Sequence, residues 1–553
     1  MTISNQHSIF NYLYHWEATT PDKHFLRQPF GNEYKDFSYR EAGQQIRKIA
    51  AYLKSLGLKD KSNIGLVSKN CAEWILADLA IQMAGYVSVP IYPTLTGVQI
   101  SSIMAHAGVE VAFYGKFDEW HAIKPDISKH VKGIAFPTYN PDSEHVQWND
   151  ILANTQPLVG NFLPNLDDLF TIIYTSGTTG NPKGVMVTHR QMAEVLYATQ
   201  DISLASRSGN TFFSYLPLSH IAERNLIETV GLVSGGTIYF AESLDTFAQN
   251  LRDAEPSHFL AVPRIWTKLQ LGILSKLPQK KLDLLLKIPI ISGIIKSKVQ
   301  KGLGLHKTVL TATGAAPMPS STIQWFRKLG IIIQEAYGMT ENLGATCVMP
   351  KDRIKDGFVG KINPGLEVKI DAQTGEIMTR SAWNMSGYYK EPEMTAATID
   401  AEGWLHTGDV GVVDADNYLK ITGRVKEMYK TSKGEYVAPA QIEMAMAENQ
   451  LIEQVCVVGE HLPQPIALIV ISAMASSLNK DEIAAGFMSQ LESLNPVLKP
   501  YERIQKVIIL KEPWTVENNK LTPTLKLKRS FIEAEFNSRM MPWFESKEQI
   551  IFE

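Results

Sequence analysis

The stretch Tyr174-Thr-Ser-Gly-Thr-Thr-Gly-Asn-Pro-Lys-Gly184 is the part of the sequence that decides both fold and chemistry. It follows an apolar run typical of a β-strand, and we expect a helix after it. Glycines let the backbone turn its N–H groups inward, while hydroxyl groups and a lysine add donors and positive charge. This composition predicts a loop that holds a polyphosphate. The alternative is a flexible surface loop, which explains such a constrained stretch poorly.

The predicted phosphate loop differs from a Walker A motif, whose order is Gly-x-x-x-x-Gly-Lys-Ser/Thr. Here Lys183 comes before Gly184, and Val185 stands where the hydroxyl residue would be. The predicted phosphate-binding residues of the loop are Thr175, Ser176, Gly177, Thr178, Thr179, Gly180 and Lys183.

Helical and strand patterns alternate through the N-terminal part of the chain. The clearest are helices over 39–56, 72–84 and from 191 onward, and strands over 63–68, 86–91, 168–174 and 236–240. The uncharged stretch from Leu79 to Val109 contains Pro90 and Pro93, so it predicts a helix, a strand and a turn and not a membrane span. The alternation favours βαβ units around a mostly parallel sheet.

After about Gly365 the pattern changes to short strands, with a hairpin turn at Asp414-Ala-Asp-Asn417. A smaller unit of helices and strands follows Gly423. We therefore predict an α/β protein with a large N-terminal domain, residues 1–423. This domain has mixed, mostly parallel sheets, flanking helices and a small β-rich subdomain. A small, mobile α+β domain, residues 424–553, follows it.

The composition and the N-terminal sequence exclude several classes of protein. The 553 residues carry a formal net charge of −3, which excludes a protein whose main task is to neutralise a nucleic-acid backbone. The three cysteines are widely spaced, so we expect neither a disulfide framework nor a cysteine-rich zinc site, and a reducing cytoplasm fits. The N-terminus has no basic segment followed by an apolar core, so we expect no signal peptide.

Seven further segments accompany the phosphate loop. They are Leu216-Pro-Leu-Ser-His-Ile-Ala-Glu-Arg224, Thr313-Gly-Ala-Ala-Pro317, Glu335-Ala-Tyr-Gly-Met-Thr-Glu341, Gly387-Tyr-Tyr-Lys-Glu-Pro392, Gly403-Trp-Leu-His-Thr-Gly-Asp409, Gly423-Arg-Val-Lys-Glu427 and Leu521-Thr-Pro-Thr-Leu-Lys-Leu-Lys-Arg529. With these motifs in this order over almost the whole chain, the sequence resembles the adenylate-forming superfamily. The first and last segments, and Gly434-Glu-Tyr-Val-Ala-Pro439, look most like long-chain fatty acyl-CoA synthetases.

The resemblance implies an ATP-dependent fatty acid:CoA ligase. Such an enzyme forms acyl-AMP and pyrophosphate and then acyl-CoA and AMP, here from a medium- to long-chain fatty acid, with Mg²⁺ as cofactor. One alternative is a fatty acyl-AMP ligase that loads a carrier protein, although no carrier domain is apparent after residue 530. Another is a catalytically silent nucleotide- or lipid-binding relative, which the presence of Lys526, Glu341 and Lys183 argues against.

The catalytic residues that the resemblance implies are Lys526, Thr340, Glu341 and His220. Joining a carboxylate to the α-phosphate of ATP brings two anions together, so the site needs positive charge, which Lys526 would supply. The alternative is that Lys526 is solvated on a basic tail with Lys528 and Arg529. His220 resembles the residue beside the acyl carboxylate, and a structural histidine is the alternative.

The nucleotide site follows from the same resemblance. Glu341 is the expected magnesium ligand, with Thr175 as a second, because magnesium prefers one or two hard oxygen ligands together with phosphate and water. Thr340 would bind the α-phosphate, and Tyr337 would stack on adenine unless it is a core tyrosine. Asp409 would accept from both ribose hydroxyls unless it only caps a turn. The other residues expected around the nucleotide are Gly314, Ala315, Ala316, Glu335, Gly338 and Arg424.

A second set of residues concerns the domain boundary. Lys426 stands at the family's hinge position, about which the small domain would rotate between half-reactions. Lys430, Gly434 and Tyr436 lie on a loop that would line the nucleotide site or the pantetheine channel. The segment Thr431–Lys433 departs from the family pattern, so the residue-by-residue match across it is open.

The segment 265–307 carries nine lysines and one acid, Asp283, a net charge of +8 in a protein of net charge −3. Leucines and isoleucines lie among the lysines, and Pro289 favours two short helices over one long helix. This pattern predicts a cytoplasmic protein that contacts the anionic inner surface of a membrane peripherally. The alternative is a solvated helical pair with an ordinary buried stripe. Acyl-chain length and oligomeric state, including a homodimer, stay open.

Overall fold

A computed structural model describes residues 1–137, 142–176, 182–472, 475–516, 518–522 and 526–553. Its largest sheet runs through the middle of the N-terminal part. The strands of this first sheet, in spatial order, are Glu367–Ile370, Glu376–Arg380, Leu405–Val413, Tyr418–Arg424, Gly360–Ile362, Cys347–Val348, Gln334–Tyr337, Leu310–Thr313, His258–Ala261, Thr211–Ser214, Thr237–Phe240, His24–Phe30 and Glu33–Ser38.

The first sheet changes direction at two points, and one of them is at the edge strand Glu33–Ser38, which is antiparallel to His24–Phe30. From His24–Phe30 to Gln334–Tyr337 neighbouring strands are parallel, and beyond Gln334–Tyr337 they are antiparallel. The antiparallel part is the predicted β-rich subdomain. The predicted hairpin is present in it, because Val413 pairs with Leu419 and Asn417 adopts a left-handed φ of 63°.

A second sheet contains the strands on either side of the predicted phosphate loop. In spatial order its strands are Gly387–Tyr388, Pro182–Thr188, Leu169–Ser176, Val87–Ile91, Asn63–Val67, Val111–Tyr114, Lys132–Ala135 and Val146–Gln147. The expectation that a helix directly follows the loop is wrong. An antiparallel strand with buried Val185 and Val187 comes first, and the helix begins at His189. The helix His189–Thr199 therefore begins after this strand and not at Gly184.

Helices pack on the faces of the two sheets. Their bounds are Ile9–Thr19, Tyr39–Ser55, Ala72–Met83, Gly97–Ala107, Trp120–Ile123, Trp148–Asn154, His189–Thr199, Ile221–Glu223, Val230–Val233, Phe247–Ala254, Pro263–Lys276, Gln279–Leu286, Pro289–Leu303, Ser320–Lys328 and Pro392–Thr398. Tyr39–Ser55 shows why such segments are helical. Ser38 Oγ accepts from Glu41 N at 3.2 Å, Glu41 accepts from Ser38 N at 2.8 Å, and Ile46, Ile49 and Leu53 are buried.

The C-terminal part has its own sheet and core. Its strands are Ile452–Val458, Ile466–Ile471, Lys506–Leu510 and Ile550–Phe552, with a separate pair Tyr429–Lys430 and Tyr436–Val437. Its helices are Pro439–Met446, Lys480–Leu494 and Arg529–Glu545. The predicted class, a large α/β domain with mixed sheets followed by a smaller α+β domain, is confirmed.

The stretch from Leu79 to Val109 differs from its prediction in one respect. The expected helix and strand are present, but the expected turn is followed by a further helix, Gly97–Ala107, which Thr96 caps by accepting from Gln99 N at 3.3 Å. Among the helices of the described residues, none is both long and apolar enough to cross a membrane.

Candidate active site

The predicted site residues follow the carboxyl ends of neighbouring parallel strands. In open α/β sheets this edge is where ligands bind. The strands concerned are Thr211–Ser214, Leu310–Thr313 and Gln334–Tyr337, and the segments after them contain His220, Gly314 and Glu341. The sheet changes from parallel to antiparallel beside the last of these strands. The hairpin that carries Asp409 and Arg424 belongs to that antiparallel part.

Asp409 joins Tyr337 and Arg424 into one group. Its carboxylate is buried, Oδ1 lies 2.8 Å from Arg424 Nε, and Oδ2 accepts a 2.6 Å hydrogen bond from Tyr337 Oη. Burial, together with the Asp409 charge, raises the pKa of the Tyr337 hydroxyl well above its ordinary value, so the hydroxyl remains a donor. In the described structure the Asp409 side chain binds these two residues, and it caps no turn after Gly408.

Glu341 belongs to a second group, which sequence reasoning did not complete. The Glu341 carboxylate is buried, and its Oε1 accepts a 2.7 Å hydrogen bond from Tyr388 Oη. The ammonium group of Lys183 lies 5.2 Å from the centre of the Tyr388 ring, and Thr175 is the register partner of Lys183. Tyr388 thus lies between Glu341, which follows a strand of the first sheet, and Lys183 on the strand Pro182–Thr188 of the second sheet. Its motif was recognised without a role for this tyrosine.

Lys526 reaches both groups from the C-terminal domain. Burial and the charge of Arg424 lower the pKa of Lys526, while the carboxylates of Asp409 and Glu341 act in the opposite direction. Lys526 also contributes to the lowered pKa of His220. Lys526 therefore interacts with side chains that lie more than 100 residues away in the sequence.

Two hydrogen bonds join Lys526 to Thr522. Lys526 N donates to Thr522 Oγ1 at 3.1 Å, and Thr522 N donates to Lys526 O at 2.8 Å. Arg529 is anchored to the domain core, since its Nη2 lies 2.7 Å from Glu443 Oε1 and its Nη1 2.7 Å from Val457 O. The Lys-x-x-Arg motif is therefore a packed part of the domain and not a solvated tail.

Among the described residues, Nδ1 of the His220 ring has a hydrogen-bond partner and Nε2 has none. Nδ1 accepts a 3.2 Å hydrogen bond from Ala222 N at the start of a short helix, so the neutral ring carries its proton on Nε2. Burial and the charge of Lys526 lower the pKa of His220 to about 4. At neutral pH the residue is therefore a neutral donor through Nε2. The alternative prediction, a structural histidine, explains the hydrogen bond at Nδ1 and does not explain Nε2.

Asn70 positions the loop that carries His220. Its Nδ2 donates to Ser214 Oγ at 2.8 Å and to Leu216 O at 2.6 Å, and its Oδ1 accepts from Leu218 N at 3.1 Å. Asn70 follows a strand of the second sheet, whereas its partners lie in or just after the strand Thr211–Ser214 of the first sheet. The side chain thus fastens the two sheets together beside the site. Nothing in the sequence pattern around Asn70 indicated this.

The motif of His220 ends in a cluster of buried charges. Arg224 and Asp78 are fully buried and form an ion pair, and Arg224 Nη1 donates to Thr171 Oγ1 at 2.5 Å. Glu223 accepts from Tyr215 N at 2.9 Å, and burial raises its pKa from 4.5 to about 8. The carboxyl group of Glu223 is therefore mostly protonated at neutral pH.

The raised pKa of Glu223 predicts a specific pH dependence of stability. The folded state holds a proton that the unfolded state releases above pH 4.5, so the free energy of unfolding falls as the pH rises from 4.5 to about 8. Glu223→Gln should remove this loss, which is on the order of 4 kcal/mol by pH 8. Thermal unfolding between pH 5 and 8 should show the variant gaining stability over the wild type. The exposed Glu110→Gln is the control, and equal pH profiles of wild type and Glu223→Gln would contradict the assignment.

Close packing of the protein backbone explains why two of the predicted positions are glycines. A Cβ on Gly314 would lie 2.8 Å from Ala336 O, and one on Gly338 would lie 2.2 Å from the carbonyl carbon of Gly344. Ala315 has a left-handed φ of 67°, which is strained for alanine. Its neighbour Ala316 is exposed.

The remaining predicted residues lie away from these contacts or outside the described residues. Burial raises the pKa of Glu335 to about 7, with Asp356 contributing. Thr340 is buried in the short helical turn that it shares with Glu341. The Lys430 ammonium group lies 5.5 Å from the Tyr436 ring across the tight turn at Gly434, and Lys426 is exposed. The calls for Gly177, Thr178, Thr179 and Gly180 fall outside the described residues, as does the side chain of Ser176.

Comparison with known families identifies the family of the chain. The family model described as AMP-binding enzyme matches residues 13–389, and that described as AMP-binding enzyme C-terminal domain matches residues 427–548. The chain therefore belongs to the AMP-binding enzymes, the adenylate-forming superfamily that its motifs resemble.

Individual relatives extend over most of the chain. Long chain acyl-CoA synthetase 6, peroxisomal, from Arabidopsis thaliana is 29% identical over 90% of this chain and 80% of its own length. The adenylation domain of a carboxylate reductase from Mycobacterium chelonae has a TM-score of 0.81 at 23% identity, over 98% of this chain and 91% of that chain. ATP-bound MatB from Rhodopseudomonas palustris has a TM-score of 0.76 at 21% identity, over 96% of this chain and 99% of that chain. The two solved structures share the fold.

Proposed function

We propose that this protein is an ATP-dependent acid–thiol ligase that activates a medium- to long-chain fatty acid as acyl-AMP and transfers the acyl group to coenzyme A. The observation that carries the proposal is that Lys526, from the C-terminal part of the chain, interacts electrostatically with the carboxylates of both Asp409 and Glu341. The Arabidopsis long chain acyl-CoA synthetase supports the choice of acid and thiol. The ATP-bound state of MatB supports the choice of nucleotide.

The Asp409 group would bind the nucleoside. Asp409 presents a carboxylate already held by Arg424 at 2.8 Å, so both residues can exchange hydrogen bonds with the ribose hydroxyls without rearranging. The Tyr337 ring, whose hydroxyl is fixed on Asp409, is half-buried and would stack on adenine. Lys183 would place its positive charge on the phosphates.

Glu341 fits a magnesium ion that is held mainly by phosphate and water. Within the described ranges, no cluster of three or more His, Cys, Asp or Glu side chains could hold a metal ion. Magnesium in nucleotide sites typically takes one or two protein oxygens. In the same ranges Tyr388 bonds Oε1 of Glu341 and leaves Oε2 for the ion, with Thr175 as the second candidate. When bound, magnesium would neutralise charge on the phosphates.

Tyr388→Phe tests this arrangement. Without the 2.7 Å hydrogen bond the Glu341 carboxylate loses its fixed orientation, so the magnesium concentration for half-maximal pyrophosphate release should rise about tenfold. Tyr389→Phe is the matched control, because the Tyr389 hydroxyl accepts from Asn63 Nδ2 at 3.1 Å, away from Glu341. The same magnesium dependence in both variants would show that Tyr388 does not orient the ligand.

In the first half-reaction a carboxylate oxygen of the fatty acid would form a bond to the α-phosphorus as the bond to pyrophosphate breaks. Lys526 would offset the repulsion between the two anions and stabilise the charge that develops on the phosphoryl group. The Nε2–H of His220 has no partner among the described residues and would donate to the acyl carboxylate, while Nδ1 accepts from Ala222 N. Thr340, beside Glu341, would donate to the α-phosphate.

In the second half-reaction the sulfur of coenzyme A would attack the acyl carbon, and AMP would leave. We propose that the domain of residues 424–553 rotates relative to residues 1–423 before this step, with Lys426 as the pivot. Rotation would withdraw Lys526 and bring the hairpin of Lys430, Gly434 and Tyr436 toward the thiol.

A panel of acids tests the whole proposal. Purified protein with ATP, Mg²⁺ and coenzyme A should release pyrophosphate and form thioesters with fatty acids of 8 to about 18 carbons, and less with benzoate or acetate. Adenylate formation without any coenzyme A thioester would favour the carrier-loading alternative. Absence of pyrophosphate release with every acid would favour a silent nucleotide-binding protein.

A further inference from the structure

The helices Gln279–Leu286 and Pro289–Leu303 present a surface that combines lysines with large apolar side chains. We call it the lysine–isoleucine surface. Its exposed members are Lys280, Lys281, Leu284, Lys287, Ile288, Ile290, Ile294, Lys298 and Lys301. The predicted interruption at Pro289 is present, since the second of these helices begins there.

The exposed isoleucines are separate from the stripe that packs on the core. On Pro289–Leu303 the stripe Ile295, Val299 and Leu303 packs against the core cluster that contains Phe326. Ile290 and Ile294 form another stripe one turn apart and are 81% and 60% exposed. The core therefore does not explain them.

The preceding helix repeats this division between inward and outward residues. Leu282 is buried and Leu286 packs against the same core, whereas Leu284 is 62% exposed. Ile288, in the link between the helices, is 43% exposed. The outward apolar residues thus cluster about the link, with lysines on either side of it.

The positive charge of this region is not neutralised within the protein. Of the nine lysines in 265–307, Lys307 pairs with Glu255, and within the described part of the chain none of the other eight forms an ion pair with a carboxylate. The segment carries +8, so the rest of the chain carries −11. An anionic surface would attract this face and repel the remainder, which orients the protein.

We propose that the lysine–isoleucine surface docks on an anionic phospholipid membrane. Exposed apolar side chains that insert at the headgroup boundary, with lysines around them, are what in-plane membrane contact requires. A second copy fits less well, because self-pairing of this face would place like charges together. The docking needs neither ATP nor a fatty acid, so it is independent of the proposed function.

Vesicle cosedimentation without ATP, fatty acid or coenzyme A tests the proposal. Full-length protein should bind vesicles of phosphatidylcholine and phosphatidylglycerol in a 7:3 ratio, and bind pure phosphatidylcholine at least tenfold less. Raising salt from about 50 to 500 mM should release most of the protein. Equal binding to the two kinds of vesicle, or none at low salt, would overturn the proposal.

Two sets of variants separate charge from insertion. Lys280→Glu, Lys281→Glu and Lys287→Glu combined should weaken anionic-vesicle binding at least tenfold, whereas the exposed control set Lys59→Glu, Lys129→Glu and Lys511→Glu should change it much less. Ile290→Asn with Ile294→Asn should weaken binding compared with Val497→Asn, since Val497 is also exposed, at 79%. Unchanged thermal unfolding verifies folding for each variant.

Sedimentation velocity without lipid distinguishes the other occupant. If the Ile290→Asn, Ile294→Asn variant converts a dimer to a monomer and leaves vesicle binding unchanged, the surface is a self-association interface and the membrane proposal is wrong. Acid–thiol ligase activity and vesicle binding are read separately, so either proposal can fail alone.

Discussion

Lys526→Ala is expected to reduce acyl-adenylate formation about a thousandfold, because the variant lacks the positive charge between two reacting anions. Thioester formation from supplied acyl-adenylate and coenzyme A should be largely preserved, since the small domain would by then have withdrawn Lys526. Pyrophosphate release and single-turnover thioester formation measure the two steps separately.

Lys528→Ala is the matched control for Lys526→Ala. The Lys528 ammonium group binds the Asn519 side chain, away from Asp409 and Glu341, so its removal should leave both half-reactions almost unchanged. Equal damage to the two half-reactions in Lys526→Ala would contradict the assigned role. Thermal unfolding of both variants would show whether a loss of rate reflects a loss of structure.

Lys426→Pro is expected to preserve adenylate formation and abolish most thioester formation. Lys426 is exposed and is the middle residue of a short 3₁₀ turn, Val425–Glu427. The usual φ range of such turns, about −50 to −70°, includes the φ that a proline ring imposes. Proline would therefore fit the present arrangement, with Lys526 in the site, and restrict the backbone rotation that the second step requires. Single-turnover assays starting from ATP and from acyl-adenylate distinguish the steps.

Lys426→Ala provides the comparison, because alanine removes the side chain and leaves the backbone free. It should keep both half-reactions within a few-fold of the wild type. A proline variant with unchanged overall turnover would place the pivot at another residue.

Sequence patterns predicted the framework of this protein well where hydrophobic periodicity is strong. The helix Tyr39–Ser55 and the hairpin at Asp414-Ala-Asp-Asn417 follow from spacing and turn chemistry. The strand after the phosphate loop was missed, because the loop's glycine-rich composition suggested a helix N-terminus. Antiparallel pairing of Val185 and Val187 decides the structure there, and it depends on contacts remote in sequence.

The site shows the same limit. Motifs identified Asp409 and Glu341, but they could not indicate that Tyr388 bonds Glu341 or that Asn70 fastens the loop of His220. These partners lie 47 residues from Glu341 and 146 residues from Leu216. Local pattern carries no information about such pairs. The raised pKa of the Glu223 carboxyl likewise depends on burial in the packed structure and not on its neighbours in sequence.

The anchoring of Arg529 to Glu443 and Val457 has a consequence for engineering. Lys526 lies three residues before this anchor, so the position of its side chain depends on how Arg529 is packed in the C-terminal domain. In a hybrid protein that takes this domain from a relative, the lysine would lie in the correct position only if Lys526, Arg529 and the partners of Arg529 all come from the same parent. A crossover between residues 443 and 529 would take Glu443 and Arg529 from different parents, whereas a crossover near residue 424 would take both from the same parent.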